Sequence, residues 1–374
     1  MVLFRMISLV LVLLAALYLY FLLKRCSMLW FRGAFTWRRK LVLAVLALVI
    51  CVPVRNLFGF WAMVVLHVVG IAAVVDLVRL AVLKVQLREN RIWHVIYCSG
   101  LIPVAGTLLI LAYGYWNMHH VIKTEYTVTT DKKIRAEGYE AALLTDLHYG
   151  TTMGGEALAE VCGRIAESRP DVVILGGDIV DEHTTLEQVQ EAFQILSGID
   201  STYGTFYVYG NHDKGRYSAD CDFTERQLEE IITGSGIRIL ADETCELNPE
   251  LSITGRRDRS DASMDGIGRA PSGALITAQE DEVYHILADH QPRSFQENDE
   301  AGYDLMVSGH THAGQIWPVG LITTLFDKGT VNYGYEKKGD MDIIVSSGVA
   351  GWGYPVRTGK HCEFVIVHVT ASSL

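Results

Sequence analysis

The stretch LMVSGHTHAG, residues 305–314, sets two histidines, His310 and His312, one residue apart after an apolar run, with Gly309, Thr311 and Gly314 around them. A short apolar run bounded by glycine reads as a buried strand, and this one delivers imidazole at its carboxyl end. The arrangement recurs upstream. Residues 141–144 run into Asp146 and His148, residues 171–175 into Gly176, Gly177 and Asp178, residues 205–209 into Gly210, Asn211, His212 and Asp213, and residues 284–287 into Asp289 and His290. Five strands thus carry metal-ligand residue types at the edge of an α/β sheet where loops converge on one crevice. The glycines permit tight turns that let a side chain project from a strand end into a crowded centre.

Between these strands lie helical stretches. Residues 156–168 repeat Leu158, Val161, Ile165 and Ala166 at helical spacing, and residues 224–232 repeat Leu228, Ile231 and Ile232, so these stripes are core. The alternation predicts an α/β domain with central sheets. Carboxylate, imidazole and the Asn211 amide form a mixed ligand set that suits manganese, iron or zinc better than magnesium alone or copper. Asp146, His148, Asp178, Asn211, His290, His310 and His312 are too many for one tetrahedral ion. A dinuclear centre bridged by Asp178 is the economical arrangement, with the ions about 3.5–4 Å apart.

The chain has 374 residues, is 50% hydrophobic and carries a net charge of −11. That charge argues against nucleic acid as the main partner, since phosphate-backbone binding needs clustered Lys and Arg. The hydrophobicity is concentrated before about residue 118, which predicts an N-terminal multi-span helical membrane domain over residues 1–118, a polar linker at 119–133 and a soluble domain at 134–374. Residues 3–23 and 92–116 have spanning length, residues 58–75 are long enough to cross, and residues 41–54 must recruit flanks or thin the bilayer. The first run lacks a small-residue cleavage site and is followed by Lys24 and Arg25, so it reads as an uncleaved helix. With about four spans, the basic residues Lys24, Arg25, Arg32, Arg38, Arg39 and Lys40, and then Lys84, Arg88 and Arg91, mark two cytoplasmic loops. The soluble domain is then extracytoplasmic, an assignment that inverts if residues 41–54 do not cross. Seven cysteines show no CxxC pair; a Cys221–Cys245 bridge and isolated small hydrophobes are the two readings, the second favoured.

The blocks DLH (146–148), GGD (176–178), GNHD (210–213), DHQP (289–292) and GHTHAGQ (309–315), in that order, resemble the calcineurin-like metallophosphoesterase superfamily, and with the tail SSGVAGWGYPVR (346–357) its membrane-associated bacterial phosphoesterases. The resemblance covers about residues 136–369. It implies a two-sheet α/β/β/α sandwich, with one ion held by Asp146, His148, Asp178 and His312 and the other by Asp178, Asn211, His290 and His310. It also implies that His212 stands beside the substrate as the catalytic acid, oriented by a carboxylate such as Asp213 or Asp146. Two divalent ions would clamp the phosphate and acidify a water for in-line attack.

Outside the blocks, Arg256 in RRDRSD (256–261) is either part of a solvated loop or a phosphate clamp. Trp352 and Arg357 on the Gly-rich tail are candidate substrate-lining residues. His183, His285, His361 and His368 read as surface or strand residues, and His67 as a polar group facing a neighbouring helix. The expected function is hydrolysis of a phosphomonoester, phosphodiester or pyrophosphate bond in a phosphorylated small molecule or lipid at the membrane. The alternative is a non-catalytic metal-binding membrane sensor or scaffold, and a transporter has little beyond the spans to support it.

Overall fold

A computed structural model describes residues 2–31, 33–57, 59–85, 91–276 and 282–372. Arg32 and Arg88, used above for orientation, lie outside these, and the side chain of Lys84 is not described. The chain divides into two units, Met1–Tyr113 and Gly114–Leu374.

The first unit is helical: α1 (Val2–Trp30), α2 (Trp37–Cys51), α3 (Phe60–Val85), α4 (Arg91–Ser99) and most of α5 (Leu101–Met118). Among the described residues three stretches are long and apolar enough to cross a bilayer: Ser8–Trp30, Phe60–Val82 and Leu101–Met118. The expected span at 41–54 is not among them. Helix α2 has 15 residues, about 22 Å at 1.5 Å per residue against a core of about 30 Å. It passes into a 3₁₀ turn containing Pro53, which cannot donate to an extended helix. The expected run at 92–116 is likewise two helices, broken at Gly100, whose φ of +70° closes α4. Among the described residues, a charged cluster lies inside this unit. Asp76 on α3 meets Arg25 on α1 at 2.5 Å and also accepts from the Tyr18 hydroxyl. His67 turns back to its own helix, with Nδ1 2.8 Å from the Met63 carbonyl.

In the second unit the chain runs β1 (Val121–Thr130), β2 (Tyr139–Leu144), α6 (Gly155–Glu167), β3 (Val172–Leu175), α7 (Leu186–Leu196), β4 (Thr205–Tyr207), α8 (Glu225–Gly234), β5 (Arg238–Ile239), β6 (Glu243–Asn248) and β7 (Leu251–Gly255). It continues through α9 (Arg259–Asp265), β8 (Tyr284–Ala288), α10 (Phe295–Ala301), β9 (Leu305–Ser308), α11 (Val319–Phe326), β10 (Gly334–Lys338), β11 (Met341–Val345) and β12 (Cys362–Ala371). One sheet has the order β1-β12-β2-β3-β4-β5, the other β10-β11-β9-β8-β7-β6. Their facing sides share one core, in which Leu143, Ile174 and Phe206 meet Ile253, Ile286, Leu305 and Ile344. Against the outer side of the first sheet pack α6, α7 and α8, through Leu158, Phe193 and Leu228. Phe295 and Ala301 of α10 pack near Leu287, Met306 and Ile343 on the outer side of the second. The result is the α/β/β/α sandwich.

The expected linker at 119–133 is largely strand. Its β-branched alternation, VIKTEYTVTT, forms β1, paired in parallel with β12 from Val121↔Cys362 to Thr130↔Ala371. The polar residues that suggested a linker are the exposed half of an edge strand. All seven cysteines are unbridged.

Candidate dinuclear metal centre

The ends of β2, β3, β8 and β9, with the loop after β4, bring the expected ligand residues together. Asp146, His148 and His312 offer ligand atoms within 4.8 Å of one another, and so do Asp178, His290 and His310. Oδ2 of Asp178 lies 3.1 Å from His290 Nε2 and 3.8 Å from His148 Nε2, so one carboxylate faces both groups. His148 Nε2 and His312 Nε2 are 3.3 Å apart, with His312 Nε2 3.5 Å from Asp146 Oδ1.

The backbone is held in an unusual conformation to achieve this. Asp146, His148, Asp178, His310 and His312 have φ of 55°, 42°, 52°, 71° and 48°. Left-handed conformations in non-glycine residues cost on the order of 1 kcal/mol or more each and persist where the surrounding structure enforces them. Here cross-bonds enforce them. Asp146 accepts from the His310 N–H, Asp178 from the His212 N–H, and the Asp213 carboxylate from the N–H groups of Asp178, Ile179, Val180 and Gly210. Two glycines are required by close approach: a Cβ on Gly210 would overlap the Asp178 carboxylate, and one on Gly309 the Asp146 carboxylate and the Thr145 hydroxyl.

Orphaned acceptors make the residues fit a pair of cations. The Asn211 Oδ1 is buried with no donor. His290 Nδ1 lies 2.8 Å from the Gly176 carbonyl, so it carries the proton and leaves the Nε2 lone pair aimed at Asp178. Two acceptors at 3.1 Å need a positive charge between them. Burial opposes protonation of His290, but the charges of Asp178 and Asp146 outweigh it and pull the imidazole well above its usual pKa. A divalent cation between the same atoms would take that proton's place. Burial also opposes ionisation of Asp178, yet His290 holds it well below the usual carboxylate range.

Three partners of these side chains were not anticipated. His148 Nδ1 lies 3.2 Å from Asp181, which leaves Nε2 as the nitrogen able to ligate. His212 Nδ1 lies 2.9 Å from Glu182, the carboxylate that orients it in place of Asp213 or Asp146. Asp213 is engaged by amides and Asp146 by His310, so neither is free for that role. Burial lowers the affinity of His212 for a proton, but the Glu182 hydrogen bond and the Asp178 charge more than compensate, and its pKa is raised. The run DIVDE, residues 178–182, held the signal, because its carboxylates recur three and four residues after Asp178 on one turn. Third, Tyr217 stands 4.9 Å from the His212 ring.

The expected substrate-lining residues divide. Trp352 stands 5.2 Å from the His212 ring. Arg357 is fully buried, donates to the carbonyls of Ser347, Ala350 and His312, and lies 3.3 Å from His312 Nδ1. Burial, reinforced by the charges of His148 and then Arg357, holds the His312 imidazole well below its usual pKa and so leaves it neutral and able to ligate. Arg256 is a loop anchor rather than a clamp: buried, it donates to Asp242 at 3.0 Å, to the Ala270 carbonyl at 2.7 Å and to the Ser272 hydroxyl. A guanidinium so engaged has no face left for a phosphate. The RRDRSD run itself caps α9 through Asp258.

Residues 141–314 match the family model for calcineurin-like phosphoesterases. A metallophosphoesterase of Campylobacter jejuni is 28% identical over 300 residues, 79% of this chain and 76% of that protein. One of Helicobacter pylori is 32% identical over 222 residues, 58% of this chain but only 55% of its own length. A zebrafish transmembrane protein with a metallophosphoesterase domain is 26% identical, over 60% of this chain and 52% of its own. Among solved structures, a dimetal phosphatase from Danio rerio aligns with 63% of this chain and 93% of its own at a TM-score of 0.38 and 11% identity.

Proposed function

The chain belongs to the calcineurin-like metallophosphoesterase superfamily and carries helices fit to span a membrane; from that premise we propose that it is a membrane-anchored hydrolase of phosphomonoester, phosphodiester or pyrophosphate bonds in a membrane-associated substrate. The observation that supports this best is the pair of ligand groups sharing Asp178, with Asn211 Oδ1 and His290 Nε2 left without donors. Asp146, His148, Asp178 and His312 would hold one divalent ion, and Asp178, Asn211, His290 and His310 the other. Manganese, iron or zinc suits this set. Such ions supply positive charge to the phosphate oxygens and acidify the attacking water.

The chain's own residues do the rest. Asp181, Gly176 and Arg357 orient His148, His290 and His312. His212, with its Nδ1 proton held by Glu182, is the group that protonates the leaving oxygen, and Trp352 and Tyr217 flank it where the leaving group departs. Purified full-length protein loaded with manganese is expected to hydrolyse an aryl phosphate or its diester. Absence of turnover with metal bound would overturn the proposal.

The proposed side of the membrane rests on the basic segments before α2 and after α3. We propose that α2, although shorter than the three candidate spans, crosses by recruiting its flanks and thinning the bilayer, which keeps both basic segments cytoplasmic and puts the catalytic unit outside; without that crossing the placement inverts. A reporter fused after Leu374 that behaves as cytoplasmic would reverse this placement.

A further inference from the structure

Helix α11 has no buried residue, although it reads VGLITTLF with no charged side chain. Trp317 just before it is 67% exposed, Leu321 55%, Ile322 49%, Leu325 56% and Phe326 83%. A helix apolar on every side is normally enclosed by protein core or by lipid. This one is enclosed by neither protein sheet, and it lies only seven residues beyond His312 in the chain.

What stands beside α11 identifies its surroundings. The loop after β11 holds Thr358, whose hydroxyl accepts from the Trp317 N–H at 3.0 Å. The neighbouring Arg357 N–H donates to the Gly114 carbonyl at 2.9 Å, and Asn117 donates to the carbonyls of Arg357 and Lys360. Gly114 and Asn117 belong to the last turns of α5, a helix fit to span a membrane, and there Tyr115 and Trp116 are 58% and 57% exposed. Exposed Tyr and Trp at the end of a span mark the headgroup level of a bilayer. One loop therefore fixes both this aromatic span end and the base of α11. A cavity of about 520 Å³ between α11 and this loop is lined by Trp317, Leu321, Thr324, Tyr333 and Lys360.

We propose that α11 with Trp317 is a second, monotopic membrane contact, its apolar side chains seated among lipid acyl chains at the same interface as Tyr115 and Trp116. Its apolar character, the span end fixed to the same loop, and Lys328 and Lys360 at its margins fit a lipid surface. The seat would hold the ligand loop at residues 309–315 beside the bilayer. The inference does not rest on the hydrolytic reading and is testable without turnover.

The test is photo-cross-linking of the full-length protein in vesicles of phosphatidylcholine and phosphatidylglycerol. A benzoylphenylalanine probe replaces Phe326 in one sample and Arg226 in another; the Arg226 side chain, on α8, is 86% exposed. The expected result is lipid adducts at position 326 exceeding those at 226 by about tenfold. Cross-links from position 326 to a second copy of the chain would overturn the proposal in favour of self-association. Equal, low lipid labelling at both positions would overturn it in favour of a water-facing helix. Both sites are surface-exposed, so neither probe threatens the fold.

Discussion

Asp76 and Asp178 show opposite solutions to the problem of holding a carboxylate away from bulk water. Asp76, among the membrane-unit helices, is met at Oδ1 by Arg25 and at Oδ2 by Tyr18, so its charge is closed by the chain itself. Asp178, at the end of β3, faces the imidazole nitrogens of His290 and His148, and the buried Asn211 on the loop after β4 holds an oxygen with no donor. An ionised pair that satisfies itself is a structural fastening, whereas a set of converging acceptors is complete only with cations from outside. The contrast separates residues that hold the fold from residues that wait for metal.

The largest effect that would sharpen it is at the bridge. Asp178→Asn should reduce phosphoester hydrolysis by about 10³-fold or more and remove bound metal, because both ions lose a shared anionic ligand. Metal analysis beside an aryl phosphate assay reads both. His212→Ala should cost about 10²–10³-fold in kcat with metal content unchanged, the signature of a group that acts on the leaving oxygen. Glu182→Gln should cost about tenfold, since it only positions His212.

Arg25→Met addresses the other side of the comparison. It should lower thermal stability by about 1–2 kcal/mol by stranding Asp76, and should leave two metal equivalents in place. Metal loss in that variant would break the distinction. The smallest effect concerns pH. Glu363 is buried, which alone would raise its pKa, but hydrogen bonds from His361, Thr124 and the Ser347 N–H hold it below the usual range. A carboxylate depressed in the folded state stabilises above its unfolded pKa of about 4.3 and loses that contribution as pH falls through the folded value. Thermal melts from pH 6 downward should therefore show Glu363→Gln flattening the acid limb by about 1 kcal/mol or less.

Much of the site was legible because its residues sit where short strands end. His148, Asp178, Asn211, His290, His310 and His312 each follow an apolar run within a few residues, and a sheet edge gathers such positions wherever the helices lie. What those residues lean on was less visible. Glu182 and Asp181 are adjacent in sequence yet serve different histidines, a division set by turn geometry. Arg357 read as substrate-lining and Arg256 as solvated loop or phosphate clamp because arginine is usually exposed, and only the tertiary fold shows their guanidinium groups turned inward. β1 passed for a linker because an edge strand keeps a polar face. In the membrane unit, hydropathy gave the spans but could not show that Pro53 and Gly100 break helices short of the expected lengths.

The most direct measurement is the metal stoichiometry of folded full-length protein supplied with manganese, iron or zinc. Two divalent ions per chain, both lost in Asp178→Asn, is the expected result. A folded chain that binds none, or that keeps a single ion whether or not Asp178 is present, would contradict the shared-carboxylate centre and the hydrolytic function built on it.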